Sequence, residues 1–288
     1  MNTITLSEWL SAYETLIINR IDEGKITLKT AEDYCRTIRF CRRTWPERLL
    51  TDITVMEITH AVHEKARDAP HAARRIRLNM SDMFTEAQRA AVVPLGHNPA
   101  LVSRWPRTSV KTERLMLEEW TAIFRVATYR APGYFQTAML LAILTAQRPS
   151  DLVKMHRNDI HDDRMLRIEQ LKTGERIALP LRLQLSCLGT SLADVLSLSA
   201  PCGRLLQNRD GKDVHTWNLS YWWRICREAA GVTATRGTPP TFREQRSLSE
   251  RLFRAQGIDT QTLLGHKYQR MTDSYHDLRG KGFRELML

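Results

Sequence analysis

The sequence predicts a mainly α fold with a small antiparallel β-sheet, an α+β chain in two domains. Three observations predict it. Apolar residues recur at helical spacing through most of the chain, whereas Met165–Pro180 alternates with period two and folds back about a turn. Between these regimes, Pro94, Gly96, Pro99 and Pro106 break the helical pattern over Pro94–Thr112. The break divides a helical-bundle domain, residues 1–105 with its basic linker, from a second domain over 110–288.

The elements follow in order. Thr5-Leu-Ser-Glu8 and Thr54-Val-Met-Glu57 have capping-box spacing, in which a hydroxyl and a carboxylate satisfy orphan amides at a helix start. Trp9, Tyr13, Leu16 and Ile17 stripe the helix after the first box. A second helix runs from about Thr30 to Arg43 with Tyr34, Ile38 and Cys41 on one face. A third follows Thr54, and a fourth covers roughly Ala72–Ala91 with Ile76, Met80, Met83, Phe84 and Ala87. In the second domain Glu118–Ala127 and Gly133–Leu144 are predicted helices. Met165–Leu171 and Arg176–Pro180 form a hairpin about Lys172-Thr-Gly-Glu. Further helices are predicted over Leu181–Leu198, Trp217–Ala230, Phe242–Ala255, Asp259–Leu264 and Met271–Asp277.

Composition narrows the function. Of 288 residues, 42% are hydrophobic and 26% charged, the balance of a globular chain with a core of its own. No apolar run approaches the ~18 residues of a membrane span. The start, Met1-Asn2-Thr3-Ile4-Thr5, lacks the basic and apolar stretches of a signal peptide. Cys35, Cys41, Cys187, Cys202 and Cys226 are scattered without a Cys-x-x-Cys pair, which argues against a zinc site or disulfide framework and fits a reducing, cytoplasmic setting. The net charge is +11. Residues 1–100 hold 14 Lys and Arg against 13 Asp and Glu, and the other 188 hold 29 against 19, so the excess lies in the second domain. Such an excess favours a polyanionic partner, nucleic acid first. Candidate contacts to a phosphate backbone are Arg42 and Arg43, Arg74 and Arg75 beside Arg77, and Arg104, Arg107 and Lys111 in the linker. A solvated basic helix face accounts for such clusters as well.

Five short segments carry candidate chemistry. In Thr145-Ala-Gln-Arg148-Pro-Ser-Asp151, an apolar helix ends at an arginine, Pro149 suits the first turn of the next helix, and Asp151 is placed to fix the guanidinium fork that matches phosphate. Lys172 sits at the tip of the hairpin. In Pro239-Pro-Thr241-Phe-Arg243-Glu244-Gln-Arg246, Thr241 and Glu244 have capping-box spacing and Arg243 and Arg246 share the first turn. Cations are disfavoured there unless an anion binds. Gly265 reads as a helix C-cap that presents His266, and Tyr275 shares a helix face with Met271. Taken singly, each has an ordinary reading: a structural ion pair, a turn lysine, a solvated basic turn, a packed histidine, a core tyrosine. Taken together they supply a metal-free attack on a phosphodiester. Tyr275 is the nucleophile, Arg148, Arg246 and His266 meet the charge on the non-bridging oxygens, and Lys172 protonates the leaving oxygen. Such a covalent phosphotyrosine keeps the energy of the broken bond, so neither metal nor other cofactor is needed.

These residues, in this order, resemble the tyrosine recombinase family and, within it, the integrases of the bacteriophage lambda type. The resembling segments are TLSEWLSAYE, LTDITVMEI, TAQRPSDL, LKTGERIALP, PPTFREQRSLSERL, LLGHK and DSYHDLRG. The resemblance implies a core-binding domain at residues 1–105 and a catalytic domain at 110–288, clamped around double-stranded DNA at attachment sites. It implies Arg148, Lys172, Arg243, Arg246, His266 and Tyr275 as the catalytic set. It also implies strand exchange by a homotetramer through a Holliday junction, to integrate or excise a mobile element on the nucleoid of a bacterial host. Accessory DNA-bending proteins and an excisionase are partners the resemblance implies. The separate arm-binding domain of lambda-type integrases is expected to be missing, because the resemblance begins at the core-binding region. The tail Phe283–Leu288 is expected to pack on a neighbouring protomer. Two positions depart from the pattern: Arg243 stands where the family usually has histidine, and Ala146 where glycine is common. Arginine cannot accept the proton of Tyr275, so slower cleavage is expected. Two other readings remain: a relative that binds DNA without cutting it, and an enzyme of the type IB topoisomerase kind that relaxes one duplex.

Overall fold

The structure is a computed structural model, and it describes residues 4–279; the tail over 283–288 lies outside the described residues. The chain forms two compact units, Met1–Val110 and Lys111–Leu288. Among the described residues no helix is long and apolar enough to cross a membrane.

The first unit holds helices α1 (Leu6–Asp22), α2 (Leu28–Thr44), α3 (Val55–Asp68), α4 (Pro70–Arg89) and the short α5 (Pro99–Val102). Both capping boxes form. Thr5 accepts from the Glu8 amide while Glu8 accepts from the Thr5 amide, and Thr54 and Glu57 repeat the pair. The apolar stripes meet in one core that includes Trp9, Leu10, Tyr13, Ile38, Ile58, Met80 and Phe84. The stretch after α4 is not a free linker. Asn98 caps α5, and the buried Arg77 donates to the carbonyls of Leu101 (2.7 Å) and Ser103 (3.0 Å) while its guanidinium lies 3.8 Å from the Trp105 ring. Arg77 therefore spends its charge on backbone carbonyls, which end otherwise unpaired at the close of α5.

The second unit is built on α7 (Gly133–Thr145), which is apolar all round and so is wrapped on every side. Preceding it is α6 (Leu117–Arg130). After it come α8 (Pro149–Leu152) and a three-stranded antiparallel sheet, β1 (Ile160–His161), β2 (Met165–Glu169) and β3 (Arg176–Pro180), in that order. Met165 pairs with Pro180 and Glu169 with Arg176, so Leu166 and Ile168 face inward beside Ile177 and Leu179. Strand β1 adds to the two predicted strands. The expected helix over Leu181–Leu198 is instead a second hairpin, β4 (Gln184–Leu185) and β5 (Thr190–Ser191), followed by the short α9 (Leu192–Ser197). The reason is local: Leu181, Leu183 and Leu185 alternate with period two, Gly189 turns the chain at φ 63°, and the Ser191 hydroxyl caps α9. The unit ends with α10 (Thr216–Ala229), α11 (Gln245–Ala255), α12 (Thr260–Leu264) and α13 (Gln269–His276). The α11 region departs from expectation too. Phe242–Glu244 is one 3₁₀ turn, and Thr241 makes no side-chain cap, because the Glu244 carboxylate is drawn to Arg114 at 2.9 Å and to Arg279 at 3.4 Å.

Candidate active site

The site gathers at the ends of four short segments of the second unit. Arg148 caps α8, with Pro149 in its first turn, and its Nη1 donates to Gln170 Oε1 (2.7 Å) and lies 3.7 Å from Asp151. Arg246, one residue into α11, is 1% exposed. Its Nη1 donates to the Ala146 carbonyl (2.6 Å) and its Nη2 to that of Leu264 (2.6 Å) and to His266 Nε2 (3.2 Å). Its Nε–H is buried without a hydrogen-bond partner among the described residues. Burial, then the neighbouring Arg148, pulls the Arg246 guanidinium down to about 10, so it remains a cation at neutral pH. Ala146, where the resembling family commonly has glycine, holds a left-handed backbone at φ 55° and is fully buried, which aims its carbonyl at Arg246.

Gly265 caps α12 at φ 61° and turns the chain so that His266 points inward. A guanidinium has no acceptor, so His266 Nε2 is the acceptor toward Arg246; the ring proton sits on Nδ1 and is donated to the Thr272 hydroxyl at 2.9 Å. Burial first, then Arg246 and Arg148, holds the imidazole down at about 4, neutral at physiological pH.

Tyr275 stands on α13, half buried, with its ring centroid 5.3 Å from that of His266 and 5.5 Å from the Arg246 guanidinium carbon. Burial by itself would raise the phenol. Arg246, a hydrogen bond from Arg243, and Arg148 outweigh it, and the net shift is below the ordinary value. Helix α13 is pinned by its carbonyls: Ser247 Oγ donates to Tyr275 (2.6 Å), and the buried Arg114 donates to Ser274 and Asp277.

Arg148, Arg243, Arg246, His266 and Tyr275 thus converge. Arg243 lies exposed on the 3₁₀ turn, yet reaches the phenol. Lys172 is exposed on the β2–β3 turn and has no hydrogen-bond or ion-pair partner among the described residues. The backbone candidates scatter. Arg42 is tied to Glu14 (2.9 Å), Arg75 lies 3.8 Å from Asp33, and Arg74 lies over the Trp105 ring with Thr108 at 3.3 Å. Arg43 and Arg75 share a groove with Arg36, Arg39 and Lys65. Arg104, Arg107 and Lys111 are exposed. Sequence reasoning missed Gln170, Gln147, Arg114 and Thr272. Gln170 had a signal, because it continues the inward positions Leu166 and Ile168 by another step of two. Among the described residues no group of three His, Cys, Asp or Glu is placed to hold a metal.

Comparison with known proteins accords with this geometry. The Phage integrase family profile matches residues 113–281. The chain is 39% identical to the prophage integrase IntE of Escherichia coli K12 over 99% of its own length and 78% of that protein's. It is 39% identical to the integrase of Enterobacteria phage P21 over 96% of itself and 76% of the relative. A lambda integrase dimer bound to a COC' core site superposes with a TM-score of 0.91 at 32% identity, covering 100% of this chain and 81% of that one. A lambda integrase tetramer bound to a Holliday junction gives 0.90 at 32%, covering 99% and 81%.

Proposed function

The chain belongs to the phage integrase family, and from that premise we propose that Tyr275 cuts DNA at the phosphate that Arg148 and Arg246 hold. The chain is a tyrosine recombinase, a site-specific enzyme that breaks and rejoins DNA through a 3′-phosphotyrosine. In the proposed step the phenolic oxygen of Tyr275 gives its proton to water and attacks the phosphorus. An Oη–P bond forms, the bond to the 5′-oxygen breaks, and that oxygen leaves with a proton from Lys172. The reverse step, with a 5′-hydroxyl from another strand, rejoins the DNA without an external energy source.

One observation carries the assignment: the phenol stands against three guanidiniums, one of which keeps a buried, unpartnered Nε–H. An unmet buried N–H costs about 1–3 kcal/mol, a cost that a visiting anion offsets. An entering phosphate competes with His266 and the Ala146 and Leu264 carbonyls for Arg246 Nη1 and Nη2, whereas Nε–H has no hydrogen-bond partner among the described residues. Arg243 adds charge at the phenol and takes no proton from it.

The relatives' structures on core-site DNA and on a Holliday junction support double-stranded DNA as the partner and a homotetramer as the working assembly. In this reading residues 1–105 form the core-binding domain and 110–288 the catalytic domain, with the α2–α4 groove of Arg43 and Arg75 along a phosphate backbone. DNA-bending proteins and an excisionase regulate direction, and the enzyme works on the bacterial nucleoid in the cytoplasm. The test is covalent trapping on a nicked duplex. Wild type yields an adduct that survives detergent, and Tyr275→Phe yields none; an adduct in the Phe variant refutes the assignment.

A further inference from the structure

Gln170 is fully buried and polar, and its side chain hydrogen-bonds directly to one of the two proposed phosphate-holding arginines, Arg148. All four of its side-chain hydrogen-bond positions are filled. Oε1 accepts from Arg148 Nη1 (2.7 Å) and Thr173 Oγ1 (2.9 Å), and Nε2 donates to Gln147 Oε1 (2.8 Å) and the Leu264 carbonyl (2.8 Å). The amide has one allowed orientation, because a flip would set its NH₂ against a guanidinium and its oxygen against a carbonyl. The Leu264 carbonyl also accepts from Arg246 Nη2 at 2.6 Å, so an unbroken chain runs from Arg148 through Gln170 and Leu264 to Arg246. The backbone of Gln170 closes the turn that carries Lys172: its amide donates to Glu175, and its carbonyl accepts from Gly174 and Thr173. A Cβ at Gly265 would stand 2.7 Å from Gln170 Nε2, so the turn that presents His266 is fitted to this amide as well.

We propose that Gln170 is the positioning residue that sets the two phosphate-holding arginines, the His266 turn and the Lys172 turn in one register. It acts through Arg148 and the Leu264 carbonyl, not by touching substrate. The inference rests on the proposed nucleophile and phosphate site. Its chemical content is directional: without the Gln170 oxygen, Arg148 loses its 2.7 Å acceptor and keeps the longer 3.7 Å contact to Asp151, and the chain to Arg246 is cut.

The experiment uses the full chain and a nicked duplex whose core sequence is first selected from a random pool by Tyr275→Phe protein. Single-turnover adduct formation is compared for wild type and Gln170→Leu on the natural phosphodiester and on a methylphosphonate at the scissile position. The methylphosphonate carries one charge fewer in its transition state and so leans less on a second, well-aimed guanidinium. Gln170→Leu is expected to slow cleavage of the natural duplex about 10- to 100-fold, as a misaimed reacting group does. Affinity for the duplex is expected to stay within about threefold of wild type, because phosphate contacts elsewhere dominate affinity, and the cleavage defect to shrink toward unity on the methylphosphonate. An equal defect on both substrates, or none on either, overturns the positioning role. If wild type itself forms no Tyr275-dependent adduct, the underlying assignment of the site falls and this role with it. Should Gln170→Leu fail to fold, Gln170→Met fills the same volume with a flexible chain and takes its place in the same comparison.

Discussion

The phenol of Tyr275 meets Arg246 and His266 on one side and Arg243 on the exposed turn. Burial works against ionising it and the guanidiniums work for it, and the guanidiniums win. A phenol held this way ionises more readily than a free one, and since Arg243 cannot take its proton the acceptor in the proposed step is water. Two substitutions read this out in opposite ways. Arg243→Met removes a charge that favours the phenolate, so the phenol rises and the pH–rate profile of single-turnover cleavage moves to higher pH. Arg243→His supplies a group that titrates near ~6.5, and is expected to raise the rate at neutral pH and add a limb to the profile in that region. An unchanged rate and profile in both variants would remove Arg243 from the chemistry. The convergence of Arg148, Arg246 and His266 was open to sequence reasoning because each is a polar residue beside a turn or cap signal, whereas Tyr275 carried only its place on a helix face. The roles that depend on touch were not open to it. Nothing in the chain says that Arg114 ties α13, or that Arg77 closes α5, since in both cases the partners are backbone carbonyls and carbonyls leave no mark in a sequence.

Helix ends make the site. Arg148 begins α8, Arg246 begins α11 and His266 follows α12, so each side chain is fixed by a change of backbone direction and not by a long flexible stem. Gly265 is the tightest of these junctions. Gly265→Ala combines a left-handed φ of 61° with a Cβ 2.7 Å from Gln170 Nε2, whereas Gly257→Ala, at φ 75°, meets nothing within 4 Å. Both variants are expected to melt lower, by about 1 kcal/mol from left-handed strain. Only Gly265→Ala is expected to slow cleavage as well, by about tenfold or more, because it displaces the amide behind Arg148. Equal cleavage by the two variants, measured beside their melting curves, contradicts that account. Helices α1 and α3 start where their capping boxes place them, and α7 runs one residue past the expected Leu144. The Leu181–Leu198 stretch misleads because its many leucines suggest a helical face, when leucines two apart carry the period of a strand. The Thr241 capping box failed because a buried arginine elsewhere in the unit outbid the local amide for Glu244.

Charge is the property of the whole molecule, and it divides unevenly between the units. The first hundred residues are nearly neutral, so any hold they take on DNA comes from local clusters and not from a broad field. Arg74 and Arg75 test this. Reversing both to Glu is expected to weaken DNA affinity and to lower the slope of log affinity against log salt by about 1 for each phosphate that the pair neutralises. An affinity and slope equal to wild type would take the pair out of the interface. The two-unit division was legible in the Pro- and Gly-rich break, but α5 and the Trp105 anchor within that break were not, since four residues are too few to show a period. Arg114 lies at the head of the second unit, Tyr275 near its foot, and the carbonyls of Ser274 and Asp277 fasten the two together. Phenol and pocket are thereby inherited as a set by every copy of the polypeptide. A blend of Tyr275→Phe copies with Arg246→Ala copies is therefore expected to yield no covalent adduct on a nicked duplex.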